Sequence, residues 1–204
     1  MSYFGETEYA MRHLIELASK EEELLSEAIA QLERAEAKLK VHQWDFQSSD
    51  LNEDFSEAYV MAAFSRTGRA GVEVDGFRQQ VAILQEAVGT HQIAVQAISG
   101  AILQIAKQGI SVVHGRLDAS PDGRTLGTST LKALIWQGRN QAIHFEDGNF
   151  SNPVVTLFAE LEAAYGPKFS LAAHRNRSLA KQVIDLLGWR TYAAYQSDAA
   201  SLGL

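Results

Sequence analysis

Apolar residues recur along this chain with the period of a helix. Met11, Ala18, Leu25, Leu32 and Leu39 stand seven apart, with Leu14, Ile15, Ala28, Ile29 and Ala35 beside them. That stripe predicts an amphipathic helix from Glu8 to Val41. Glu21, Glu22, Glu23, Glu33, Arg34 and Lys38 fall on the opposite face. This is the solvated side of a long bundle helix or, alternatively, a coiled-coil face for a partner.

A polar connection over 42–52 leads to a shorter predicted helix, Glu53 to Ser65, burying Phe55, Ala58, Tyr59 and Ala62. RTGRAGVEVDG, 66–76, reads as a flexible turn and lacks the spacing of a phosphate loop. The next stripe is the clearest. Val81, Leu84, Val88, His91, Val95, Ile98, Ile102 and Ile105 alternate spacings of three and four. They predict one helix over 77–108 with His91 as a hydrogen-bonded core residue rather than a ligand. Gly89 and Gly100 weaken that helix and point to close packing against a neighbour.

SVVHGRLDASPDGRTLG, 111–127, predicts a long loop with a Ser-Pro-Asp-Gly turn. Thr128, Ser129 or Thr130 caps the following helix, which buries Leu131, Leu134 and Ile135 and ends near Asp147-Gly148. Asn152-Pro153 restarts a helix using Val154, Leu157, Phe158 and Leu161, and Gly166-Pro167 stops it. A last long helix runs from Leu171 to Leu187, closed by Gly188, ahead of a loose aromatic and then polar tail. No stretch alternates with period two for long enough to demand a sheet. The fold class is therefore all-α, a helical bundle of about six helices. Residues 1–204 form a single helical domain, with 1–75 as an N-terminal helical extension packed on a 76–190 core bundle.

Composition narrows the function. Hydrophobic residues make up 46% of the 204, enough for a real core, and 21% charged residues is not a disordered composition. Without cysteine there is no disulfide framework and no thiolate metal site. The apolar region 81–113 is interrupted by Gln, His, Lys and Gly and reads as too polar to span a bilayer, and MSYFGETEYAMRHL is no signal peptide. These features lead to the expectation of a cytoplasmic protein with no membrane partner. The net charge of −7 disfavours indiscriminate binding to nucleic acid, but it is uneven. Residues 1–115 hold 9 Lys and Arg against 17 Asp and Glu, whereas 116–190 hold 9 against 7.

Several chemistries lose ground on spacing. None of the six histidines, His13, His42, His91, His114, His144 and His174, has an acid three residues ahead of it. No two of them are three or four apart, so a helical metal site is not encoded. There is no Gly-x-Ser-x-Gly elbow and no Gly-x-Gly-x-x-Gly loop. No metal and no cofactor is called for.

The stretch Gly138-Arg139-Asn140-Gln141-Ala142-Ile143-His144-Phe145 is harder to explain as packing. Asn140 and His144 are one turn apart and share a helix face. Arg139 and His144 differ by roughly 140° around an ideal helix, so the guanidinium must bend to reach the imidazole, or a second chain must complete the site. Arg offers a planar fork that fits phosphate, His exchanges a proton near neutral pH, and Asn can orient either. Together they suit RNA cleavage by the RNA's own 2′-hydroxyl. By spacing alone, a group that merely caps or bridges helices remains the alternative.

Arg139-Asn140-Gln141-Ala142-Ile143-His144, on a helix of an all-α protein, resembles the R-φ-x-x-x-H motif of the HEPN superfamily, in which φ is a polar residue and frequently Asn. The resemblance covers these six residues and the helical pattern over most of the chain. It implies a HEPN-like bundle that forms a homodimer, with Arg139, Asn140 and His144 as catalytic residues and the two motifs of the dimer sharing one cleft. It further implies a metal-independent endoribonuclease in toxin–antitoxin or defence systems, with RNA as substrate and an antitoxin or regulatory protein as partner. Noncatalytic members that bind nucleotides or partner proteins supply the alternative. One subgroup carries a Tyr two residues after the His. Here Glu146 stands there, so regulation through that Tyr is not implied.

His174-Arg175-Asn176-Arg177 repeats the Arg-Asn pair without a following His. Arg175, Arg177 and Lys181, with Arg190, form either a weak RNA-binding rim or an ordinary solvated face.

Overall fold

The computed structural model describes residues 3–48 and 57–204. Among them are six α-helices: α1 (Tyr3–Ser48), α2 (Glu57–His114), α3 (Leu131–His144), α4 (Asn152–Tyr165), α5 (Ala180–Leu187) and α6 (Tyr192–Ser201). A two-residue hairpin, β1 (Thr125–Leu126) and β2 (Ser129–Thr130), is the one sheet among them. The protein is an all-α helical bundle. Its contacts divide it into one unit of Met1–Glu22 with Ile93–Leu204 and a second of Glu23–Gln92.

The second unit holds the later part of α1 and the earlier part of α2. Among the described residues, Ala28, Ala35, Val74 and Val81 are its buried positions. The predicted helix Glu53–Ser65, the flexible turn over 66–76 and the helix from 77 are in fact one continuous helix from Glu57 onward. Phe55 lies outside the described residues, as do the side chains of Ala58, Tyr59 and Ala62. Glycine costs about 1 kcal/mol in a helix interior, a penalty that side-chain packing can exceed. Here Val74 and Val81 are buried, His42 stacks on Phe77 at 4.8 Å, and His42 Nδ1 lies 3.1 Å from Glu73 Oε2. The close packing expected at Gly89 and Gly100 is absent: a β-carbon at either would meet nothing within 4 Å. Glycine in a helix marks tight packing only where a neighbour's atoms occupy the vacated space. His91 is half-buried.

The first unit carries the main core. Met11 and Ile15 from α1, Ile102, Leu103, Ala106 and Ile110 from α2, and Leu131, Leu134 and Ile135 from α3 meet there. Phe158 and Leu161 of α4 and Val183, Ile184 and Leu187 of α5 complete it. The stretch Gly71–His114 is just long and apolar enough to cross a membrane, with an 18-residue mean hydropathy of 1.2. About 39% of that window is buried within the protein, and Val95, Ile102, Leu103, Ala106 and Ile110 along the stretch are buried.

The segment 111–127 is more ordered than a loop. Helix α2 continues to His114, a 3-10 turn follows at Leu117–Ala119, and Thr125 and Leu126 pair antiparallel with Thr130 and Ser129. The Ser-Pro-Asp-Gly turn is fixed by Gly123, whose φ is 67° and where a β-carbon would lie 2.8 Å from Leu131 Cδ2. Only glycine tolerates both conditions. Thr130 caps α3, accepting from Ala133 N at 3.4 Å.

Before α4, Ser151 takes the cap position and Asn152-Pro153 begin the first turn. The predicted last helix is shorter than its pattern: only Ala180–Leu187 is helical, closed as expected by Gly188 at φ 71°. Residues 171–176 turn instead. The tail is not loose. Trp189, Tyr192, Tyr195 and Leu202 are buried, and α6 is capped by Thr191, which accepts from Ala194 N. Asp198, 6% exposed, receives Arg124 on both carboxylate oxygens at 2.7 and 2.8 Å and the Trp189 indole at 2.8 Å. Arg124 also donates to Leu187 O at 2.6 Å. Hydropathy could not disclose this cluster because its fixing contacts join a loop to a helix some seventy residues later.

Candidate functional site

Helix α3 presents two faces. Leu131, Leu134, Ile135, Gly138 and Gln141 are buried, and Val183 of α5 packs so close that a β-carbon at Gly138 would lie 3.0 Å from its Cγ1. Arg139 and Asn140 are half-buried on the next strip around the helix, and His144 is exposed in its last turn.

The three motif residues do not converge on one point. Asn140 and His144 line a common hollow of about 290 Å³ with Asn149, Phe150, Ser151 and Val154, formed where α3 ends and α4 begins. The side chain of His144 is 55% exposed, and its Nδ1 is 3.9 Å from Asp147 Oδ2. Arg139 is not part of that lining. Its Nε donates to Gln104 Oε1 on α2 at 2.6 Å, and its Nη1 donates to Asn140 Oδ1 at 3.2 Å. Asn140 in turn donates from Nδ2 to Gln137 Oε1 at 3.2 Å. Gln104, Arg139, Asn140 and Gln137 thus form one chain of hydrogen bonds in which Asn140 stands on the wall of the hollow. An amide held at both ends has a fixed orientation, and its proximity to the imidazole is set by the helix rather than by a bond.

Gln141 is the residue the motif pattern passed over. It is 1% exposed, accepts from Leu179 N at 2.7 Å and donates to Arg177 O at 2.9 Å. These bonds fasten the 170–179 turn to α3. The same turn lays Asn176 near Gly148, where a β-carbon would be 3.8 Å from Asn176 Oδ1. A polar residue in step with Leu134 and Gly138 on a buried stripe must find partners, and that was the available signal.

Arg175 and Arg177 are exposed on this turn. Lys181 differs from them. Its ammonium is 3.0 Å from Glu22 Oε1 and also pairs with Asp185, so its charge is already neutralised within the fold. Across α3, Lys107 of α2 places its ammonium 4.2 Å from the centre of the Trp136 ring. Burial, and then the neighbouring Arg139 guanidinium, hold the Lys107 ammonium below the ordinary lysine range. Gln104, Lys107, Gln137 and Gln141 all escaped the sequence reading. Among the described residues no three His, Cys, Asp or Glu side chains gather in metal-ligating geometry.

Comparison with family models, with curated proteins and with solved structures finds no match.

Proposed function

We propose that this protein is a metal-independent endoribonuclease of HEPN type that works as a homodimer. The observation that carries the reading is the shared hollow: Asn140 and His144 face one space of about 290 Å³, close to the lower size of small-ligand pockets, about 300 Å³. The chemistry needs little else. The 2′-oxygen of the RNA attacks the adjacent phosphorus and the P–O5′ bond breaks. The 2′-hydroxyl proton passes to a base and a proton is delivered to the departing 5′-oxygen. His144 is the group that exchanges a proton near neutral pH, and a second copy would supply the other.

Exposed Ile143 and Val155, next in sequence to the lining residues His144 and Val154, are apolar surface suited to a second copy. Arg175 and Arg177 lie on the turn fastened to α3 and would draw a polyanion toward it. The toxin or defence role, the cytoplasmic setting and an antitoxin or regulatory partner belong to the same reading.

The test is cleavage of single-stranded RNA in EDTA, with product ends identified. A 2′,3′-cyclic phosphate and a 5′-hydroxyl are expected, and His144→Ala should abolish cutting without changing the circular dichroism. Undiminished cutting by purified His144→Ala would overturn the assignment.

One observation favours a second reading, a noncatalytic HEPN-like protein that binds nucleotide or a partner. Arg139 is engaged by Gln104 and Asn140 and does not line the hollow. Tight binding of a nucleotide with no turnover of RNA would select this reading.

A further inference from the structure

Two contacts one turn apart join α2 to α3. Gln104 accepts from Arg139, and Lys107 rests on Trp136, with Lys107 three residues after Gln104 and Arg139 three after Trp136. Each pair of contact residues therefore lies on one face of its helix. The arrangement brings an ammonium and a guanidinium on adjacent turns into the same seam between the helices, near enough for Arg139 to act electrostatically on Lys107. Among the described residues neither cation has a carboxylate within ion-pair distance. Among the described residues the Lys107 ammonium has no hydrogen-bond acceptor, and the Arg139 guanidinium donates only from Nε and Nη1.

Two like charges held together and left uncompensated are unfavourable unless an anion joins them. Other half-buried lysines are neutralised, Lys181 by Glu22 and Asp185 and Lys132 by Asp122. The Lys107–Arg139 seam adjoins the hollow, because Arg139 is bonded to Asn140 on its wall.

We propose that Lys107 and Arg139 form a phosphate subsite that holds the backbone of single-stranded RNA one position away from the bond presented to His144. This rests on the ribonuclease reading for the identity of the anion. It gives Arg139 a role in holding a neighbouring phosphate, consistent with its place outside the lining of the hollow. The indole beneath Lys107 keeps the ammonium at the seam when no phosphate is bound.

The probe is a short fluorescein-labelled oligouridylate with 2′-O-methyl riboses, which binds but cannot attack its own phosphorus. Anisotropy titrations across a salt series compare wild type with Lys107→Met, Lys107→Arg and Lys20→Met, the last removing an exposed charge from α1. Lys107→Met should weaken binding about tenfold and flatten the dependence of log Kd on log salt by about 0.7. Lys107→Arg should restore most of both, and Lys20→Met should change little.

Equal losses in Lys107→Met and Lys20→Met, or failure of the wild type to bind the probe, would overturn the subsite. Cleavage of unmodified RNA is scored in parallel. Lys107-dependent binding with no cleavage overturns the ribonuclease reading and leaves the subsite standing. Cleavage undisturbed in Lys107→Met does the reverse.

Discussion

Arg139 donates from Nη1 to the Oδ1 of its neighbour Asn140 at 3.2 Å, and that bond ties the guanidinium to the wall of the hollow that His144 shares. The amide is held from the other side by Gln137. Arg139 and His144 thus occupy different parts of the same region, linked through Asn140.

The first prediction concerns that middle position. Asn140→Ala removes one hydrogen bond from the half-buried Arg139, which water can replace, and one from Gln137, which is 9% exposed, so the loss of stability should be modest, about 1–2 kcal/mol. It also frees the Arg139 fork to wander. On the ribonuclease proposal, single-turnover cleavage of RNA should slow by about 10- to 100-fold, because orientation contributes to rate without contributing much to folding. A loss of activity matched by a large loss of stability would mean that Asn140 is a structural residue only.

Gln141 should behave in the opposite way. Gln141→Leu is close in volume and stays apolar on a buried stripe, but it strands Leu179 N and Arg177 O, whose partner it was. Leaving buried backbone groups unsatisfied costs about 1–3 kcal/mol each. Urea unfolding should show a loss of roughly 2–4 kcal/mol, at the upper end if both groups stay dry. Amide exchange should quicken across 171–179 before it does in α3.

The glycines give a paired test. Gly100→Ala meets no atom within 4 Å, so it should gain helix propensity and stabilise the protein by up to about 1 kcal/mol. Gly138→Ala gains the same propensity but drives a methyl to within 3.0–3.5 Å of three Val183 atoms. Overpacking costs about 1–3 kcal/mol, and the net effect should be destabilising. Thermal unfolding of the two variants should therefore move in opposite directions.

Helix type and the buried faces were legible because period alone reports them: Val154, Leu157, Phe158 and Leu161 were read from their spacing and all four are buried. Helix ends and joins were not. The glycines of 66–76 looked like a turn because a single sequence carries no record of the packing that runs a helix through them. Residues 171–179 looked helical because Leu171 and Leu179 are apolar, whereas Gln141 takes the backbone of that turn for its own hydrogen bonds. In the site, Asn140 and His144 were foreseeable from their one-turn spacing. Gln104 and Lys107 were not, since they lie over thirty residues away on α2 and have unremarkable side chains for a helix surface. Long-range partnership is what periodicity omits.

Alkaline pH tests the packing of the C-terminal segment. Burial raises the phenols of Tyr3, Tyr192 and Tyr195 above the ordinary value of 10.0, and Tyr195, 2% exposed, is the most strongly shifted. A phenol whose pKa is higher in the folded state keeps its proton there after the unfolded chain has released it. The native state then binds more protons than the unfolded one, and stability falls as pH rises past the unfolded value. Lys107 alone pulls the other way, because its pKa is lowered on folding. Three tyrosines against one lysine set the sign. Thermal midpoints should hold steady from about pH 7 to 9 and then decline as the pH passes about 10. Tyr195→Phe removes the most shifted phenol and should flatten that decline, while Tyr9→Phe, at a phenol 74% exposed, should leave it unchanged. A decline of equal steepness in both variants would mean that Tyr195 is not shielded from water and that the tail is packed less tightly than its burial indicates.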